Sequence, residues 1–154
     1  MQAVSLSEFR GKLVLLYFYP RDGTPGCTLE ATDFSDHEDQ FDRCDCVILG
    51  VSRDDFLTHA EFRDKNGLSI RLLSDPEGEA CKLYQVLQDK EHEGVHRQCI
   101  LRSTFVIDRK GVIRHAAYGV NPKHHASEML EVVRRLKNGQ REKRRPVPSA
   151  KAHA

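Results

Sequence analysis

The chain has 154 residues, 39% of them apolar, enough to bury one good core, and its 24 lysines and arginines against 23 aspartates and glutamates leave a formal charge of +1. That balance gives no global pull towards nucleic acid or membrane, no run is long enough to span a bilayer, and the opening MQAVSLSEFRGK lacks the apolar region of a signal peptide. Five irregularly spaced cysteines do not make a secreted disulfide framework, so reduced thiols in a cytoplasmic compartment are expected.

Residues 4–9 read as a lead-in, and Gly11-Lys12 as a turn. Residues 13–19, LVLLYFY, are too continuously apolar for a strand with one wet face and suit a central strand covered on both sides. Pro20 ends that strand because it cannot donate to a ladder. Thr24 has a hydroxyl suited to an N-cap, and Pro25 fits the first helical position, where a missing N–H costs nothing. Cys27 then takes the third helical position, which in a capping box holds a glutamate facing unpaired backbone N–H groups. Helical spacing to about residue 41 puts Cys27, Ala31, Phe34 and Phe41 near one face, with Asp33, Asp36 and Asp39 turned elsewhere.

Residues 47–51 form a second apolar strand, the aspartates and serine of 52–55 suit a helix start, and Asn66-Gly67 suits its end. Residues 70–73 read as a short strand, and Ser74-Asp75-Pro76 as the start of a helix with Ala80, Leu83, Tyr84 and Leu87 on its apolar stripe and Cys81 beside it. Residues 88–98 are polar, contain Gly94, and read as a loop. Residues 100–107 and 112–117 are strand-like and joined by a turn, and Asn121-Pro122 opens a last helix with Ala126, Met129, Leu130, Val133 and Leu136 on one face, stopped near Gly139. The order predicts an α/β protein over residues 1–139: a three-layer α/β/α sandwich with a mixed central sheet, a thioredoxin-like plan. Residues 140–154 are basic and proline-containing and read as a solvated, disordered tail rather than a nucleic-acid-binding arm.

A free cysteine titrates near pH 8.5, and helix N-termini and cations bring such thiols down to roughly 3.5–7.5. Cys27 is thus placed to be nucleophilic, the plain alternative being a small buried cysteine in a helix packed on a sheet. Pro20, Thr24 and Cys27 spell PxxxTxxC, set in YPRDGTPGCTLEATDF and followed later by RSTFVID. On these residues the chain, from about residue 4 to 136, resembles the peroxiredoxins, AhpC/TSA-like proteins, and in particular their bacterioferritin comigratory protein (Q-type) branch. Relatives of that branch usually carry a further hairpin upstream.

The resemblance implies a thioredoxin-like fold and a thiol-dependent peroxidase acting on hydrogen peroxide or alkyl hydroperoxides. Thioredoxin or a small thiol would be the reductant, with no metal or organic cofactor, no nucleic-acid or membrane partner, and a monomeric state. Cys27 would attack the peroxide, Thr24 would point its hydroxyl at sulfur and substrate, and Pro20 would shield one side from water. The resemblance assigns the cation to Arg102, which on a strand shares a face with Thr104 and Val106; the plain alternative is a surface arginine at a strand end. Glu30 matches the family's CTxE and could orient Arg102, although a first-turn carboxylate also suits the helix dipole.

Many Q-type members carry a resolving cysteine five residues after the peroxidatic one, where this chain has Thr32, and others carry it in the following helix, where residues 57–65 contain none. Resolution is therefore expected from an external thiol, or from Cys44, Cys46, Cys81 or Cys99, with Cys81 preferred because it is expected off the buried stripe. Thr32 also leaves open a thioredoxin-like peroxide-sensing or binding module with poor turnover. His92-Glu93-Gly94-Val95-His96 matches HExxH, but Gly94, the polar flanks and the lack of a third ligand nearby argue against a zinc site.

Overall fold

The computed structural model describes residues 3–139, and the tail read at 140–154 lies outside them. In chain order they form a 3₁₀ turn (Leu6–Phe9), β1 (Leu13–Phe18), α1 (Pro25–Arg43), β2 (Cys46–Ser52), α2 (Phe56–Asn66), β3 (Arg71–Ser74), α3 (Glu79–Leu83), β4 (Leu87–His92), β5 (Val95–Ile100), β6 (Ser103–Ile107), β7 (Ile113–Tyr118) and α4 (His125–Lys137).

All six residues of β1 are buried, as its unbroken apolar run requires, and β1 is the middle of a mixed sheet ordered β3-β2-β1-β6-β7. β2 is parallel to β1 and β3 to β2, whereas β6 is antiparallel to β1 and β7 to β6. Alternation along β1 feeds two cores. Leu13, Leu15 and Tyr17 join Phe34 and Phe41 of α1, Phe62 of α2 and Met129, Leu130 and Val133 of α4. Val14, Leu16 and Phe18 face the opposite layer with Phe105, Cys81, Tyr84 and Val86, against which Leu6 and Phe9 pack. Each of these large apolar side chains contributes about 1.5–3 kcal/mol on burial, so the central strand is the chain's main hydrophobic investment. The result is an α/β sandwich of helices on both sides of a mixed sheet.

Several expected boundaries move, each for a local reason. Of the serine and aspartates read as the start of α2, Asp55 is the cap, accepting from the Thr58 N–H at 2.8 Å, while Ser52 remains in β2. Ser74 ends β3, and Asp75 accepts from the N–H groups of Ala80 and Cys81, so α3 begins after Pro76 rather than on it. Cys81 lies fully buried in the second core, not beside the stripe, and Leu83 is exposed instead. The last helix starts at His125, because Asn121 accepts from the Lys123 N–H and His124 takes φ +62° before the first turn.

The expected loop at 88–98 is a two-stranded hairpin, β4 paired with β5 from Leu87↔Ile100 to His92↔Val95. Its turn residues Glu93 and Gly94 both have positive φ, the pattern of two-residue hairpin turns, and its mostly exposed side chains leave no apolar alternation to read. HExxH therefore crosses a hairpin turn rather than a helix face. The strand expected at 100–107 is broken at Leu101-Arg102: the Leu101 N–H goes to the Val86 carbonyl at 2.7 Å, and the Arg102 carbonyl accepts from Val120 at 2.9 Å. Arg102 thus stands just before β6, not within a strand.

Candidate active site

The site lies where β1 delivers the chain to α1, at the carboxyl end of a central parallel strand, the usual place for a site in an open α/β sheet. Tyr19 gives its N–H to the Val51 carbonyl at 3.0 Å, and Pro20, which has none to give, leaves the sheet and is exposed. Thr24 is the N-cap of α1 and Pro25 its first residue. The Thr24 hydroxyl does not cap the helix; it donates to the Arg21 carbonyl at 2.9 Å and closes the loop on itself. The Thr24 carbonyl receives both the N–H and the hydroxyl of Thr28.

Cys27 sits in that first turn, 1% exposed, on the face α1 turns to the core. Phe18 pairs with Ser103 across the β1–β6 ladder, and this register brings Arg102 to the same end of the sheet. Its guanidinium bridges two groups: Nη1 donates to Glu30 Oε1 at 2.8 Å, and Nη2 to Cys27 Sγ at 3.5 Å. Glu30 is one helical turn beyond Cys27 and only 1% exposed. Arg102, Cys27 and Glu30 are thus brought together. Thr24 is close in the chain with its hydroxyl engaged elsewhere, and Pro20 faces solvent.

The electrostatics follow from this packing. Burial pushes the Glu30 carboxyl up to about 7 against the downward pull of Arg102, and Oε2 has no hydrogen-bond partner. Burial works against the charge of Arg102, but Glu30 and Cys27 beside it more than offset this and hold its pKa above the ordinary value. The N–H groups of Gly26 and Cys27 have no carbonyl one turn back within the helix, so they are free for an incoming oxygen. Such a constellation can hold a sulfur anion, two oxygens of a substrate and the charge that develops as they part.

Two features were missed by sequence reasoning. A side-chain carbon at Gly26 would stand 3.1 Å from Nη2 of Arg102, so this glycine leaves room for the guanidinium. Asp22, His59 and Asp54 cluster behind the loop. The only sequence signal for them was the position of Asp22 inside YPRDGTPG and of Asp54 inside SRDD.

Of the other cysteines, Cys44 and Cys46 share the Cys27 core and Cys81 lies in the opposite one. Cys44, Cys46 and Cys81 are buried, Cys99 is half-buried on β5, and none forms a disulfide. Cys81 belongs to the core on the far side of the sheet from Cys27, which removes the reason for preferring it as an internal partner. Burial, followed by Asp75, raises its thiol to about 12. Among the described residues no helix is long and apolar enough to cross a membrane.

Residues 1–116 match the AhpC/TSA family. The chain is 40% identical over 133 residues to the peroxiredoxin Bcp of Bacillus subtilis, covering 86% of this chain and 85% of that one. It is 41% identical over 133 residues to the putative peroxiredoxin bcp of Helicobacter pylori, covering 83% and 84%. The structure of the Xanthomonas campestris bacterioferritin comigratory protein, studied for its alkyl peroxide reduction activity, superimposes with a TM-score of 0.84 at 34% identity over 87% of this chain and 85% of its own. With this sequence identity and this shared thioredoxin-like sheet, the chain belongs to the AhpC/TSA family, among the peroxiredoxins of the bacterioferritin comigratory (Q-type) branch.

Proposed function

We propose that this thiol-dependent peroxidase reduces hydrogen peroxide and alkyl hydroperoxides at Cys27. The observation that carries the assignment is the 3.5 Å contact of Arg102 Nη2 with Cys27 Sγ in the first turn of α1. The thiolate attacks the terminal oxygen of the hydroperoxide. A sulfur–oxygen bond forms, the oxygen–oxygen bond breaks, and the departing oxygen takes a proton and leaves as alcohol or water. Sulfur becomes a sulfenic acid. Arg102 stabilises the thiolate and the developing oxygen charge, Glu30 aims the guanidinium, the N–H groups of the first turn receive the oxygens, and Thr24, its hydroxyl tied to the Arg21 carbonyl, sets where that turn begins.

An external thiol then condenses with the sulfenic acid to give a mixed disulfide and water. A second thiol releases Cys27 as the free thiol and departs with the first as a disulfide. Thr32 in the place of a resolving cysteine, and the burial of Cys81 across the sheet, favour an external thiol such as thioredoxin or a small-molecule thiol over an internal partner. A cytoplasmic setting and a monomer fit this cycle, and neither a metal nor an organic cofactor takes part in it.

The test is peroxide consumption by reduced protein and by Cys27→Ser. Loss of consumption in the variant is expected; retention of most of it would overturn the assignment. Thr32 also supports a second reading, a peroxide sensor that stops after one oxidation. Sustained turnover with thioredoxin or a small thiol supports the enzyme, and a halt after one equivalent supports the sensor.

A further inference from the structure

The loop between β1 and α1 is anchored by a buried cluster that the peroxide chemistry does not use. Asp22 Oδ1 accepts from the Tyr19 hydroxyl at 2.6 Å, and Oδ2 lies 2.5 Å from Nδ1 of His59. The Asp22 backbone N–H donates to Asp54 Oδ2 at 2.8 Å, and the Ser52 hydroxyl fixes the same oxygen at 2.7 Å. The Asp22 and His59 side chains are 2% and 4% exposed. The other ring nitrogen of His59, Nε2, is 3.0 Å from the Leu73 carbonyl oxygen of β3.

These contacts require two protons. The Leu73 carbonyl can only accept, so Nε2 carries one, and the Nδ1–Asp22 hydrogen bond holds another, which with Asp22 as the carboxylate makes His59 an imidazolium. The groups facing it are Asp22 from the loop, Tyr19 just after β1, Asp54 and Asp55 from the connection into α2, and the Leu73 carbonyl from β3. Burial opposes its charge, but the Asp22 hydrogen bond and charge, Leu73 and Asp54 outweigh burial and hold the ring above its ordinary 6.5. The three ligand-type atoms of Asp22, Asp54 and His59 lie within 4.8 Å of one another, a spacing a cation could bridge only by displacing the proton held between Nδ1 and Asp22.

We propose that the His59–Asp22 pair positions the peroxidatic site, fixing the segment 20–24 that hands the chain to the first turn of α1. This rests on Cys27 being the reacting thiol. Thr24 closes on the carbonyl of Arg21, beside Asp22, and starts the helix by accepting from Thr28, so a shift at Asp22 is passed into the turn that holds Cys27. Displacing a reacting group by about 1 Å costs on the order of a hundredfold in rate, which makes a loop anchor a rate determinant.

The full chain supplies the test. Long-range proton–nitrogen NMR of the wild type at pH 7 is expected to show both His59 ring nitrogens protonated; a neutral ring overturns the proposal. His59→Gln and Asp22→Asn are then compared with wild type in two thiol reactions. Oxidation of the Cys27 peptide by hydrogen peroxide is expected to slow about tenfold or more. Iodoacetamide labelling of the same peptide is expected to accelerate as the buried sulfur is uncovered, while labelling of Cys81 stays unchanged. Unchanged oxidation overturns the proposal, and so does labelling that rises equally at Cys81, the mark of a chain-wide loss of stability. If wild-type Cys27 is not oxidised at all, the peroxidase assignment fails separately, and the ring spectrum and labelling still decide the role of His59.

Discussion

Gly26 and Arg102 are matched: a side-chain carbon on Gly26 would stand 3.1 Å from the guanidinium nitrogen that reaches Cys27. Real carbons of that kind rarely come so close, so Gly26→Ala must push the guanidinium by a few tenths of an ångström, away from the Cys27 sulfur. Gly26 is the second residue of α1, so the same substitution improves helix propensity by no more than the roughly 0.8–1.0 kcal/mol of a helix interior. The two effects separate. Gly26→Ala is expected to melt at or above the wild-type temperature while oxidising Cys27 at least about tenfold more slowly, a misplacement effect. Equal oxidation rates would show that the guanidinium does not need this space.

Arg102 serves Glu30 and Cys27 through two nitrogens of one planar fork. Lysine keeps the charge but cannot donate in parallel to both, so Arg102→Lys is expected to lose about 10²–10³ in the rate of Cys27 oxidation, the loss typical of a missing transition-state donor. Arg102→Ala adds a stability cost, because Glu30 is left buried without its partner, and such breaks run to about 3–5 kcal/mol. Arg102→Ala combined with Glu30→Gln should recover part of that loss in denaturant titrations; no recovery would mean that the pair is not coupled in the folded protein.

How much of this was legible in the sequence depended on whether a local pattern or a long-range pairing held the information. The unbroken run of β1, Pro25 at the first helical position and the Ala31, Phe34 and Phe41 face are local periodicities and came out as read. The β4–β5 hairpin was missed because it carries polar side chains on both faces, leaving only the Glu93-Gly94 turn as a signal. Cys81 was misplaced because α3 is only Glu79–Leu83, so Tyr84 and Leu87 of the expected stripe lie beyond it and do not set which face is buried. At the site, resemblance pointed to Arg102 and Glu30. Asp22 and His59 are 37 residues apart, brought together by the parallel pairing of β1 with β2, and no periodicity announces such a contact.

Glu30 sets a pH dependence whose sign is fixed by its burial. Its carboxyl is raised from 4.5 to about 7 in the folded protein. The stabilisation linked to its proton is therefore fully present below pH 4.5, and is lost as pH rises through 7. Glu30→Gln keeps an acceptor for Arg102 and has nothing to titrate. Thermal melts between pH 4.5 and 8 are expected to show a smaller fall in stability for the variant than for wild type; parallel curves would mean that Glu30 is ionised throughout.

Cys81 supplies the last prediction, because its position decides how the oxidised enzyme is recycled. It is 0% exposed, packs with Val14, Leu16 and Phe18 on the face of β1 opposite Cys27, and its thiol is raised to about 12 by burial and by Asp75. A thiol so placed attacks poorly and cannot meet the Cys27 sulfur unless the sheet between them opens. One equivalent of hydrogen peroxide on the reduced protein is therefore expected to add oxygen at Cys27, and subsequent addition of a small thiol to give a mixed disulfide on the same peptide. Cys81→Ala should leave both products and the oxidation rate unchanged, at a cost of about 1–2 kcal/mol for a small buried deletion. Loss of two hydrogens mapped to Cys27 and Cys81 in the wild type would mean that the sheet or the helices around it rearrange during the cycle, and that recycling begins within the chain.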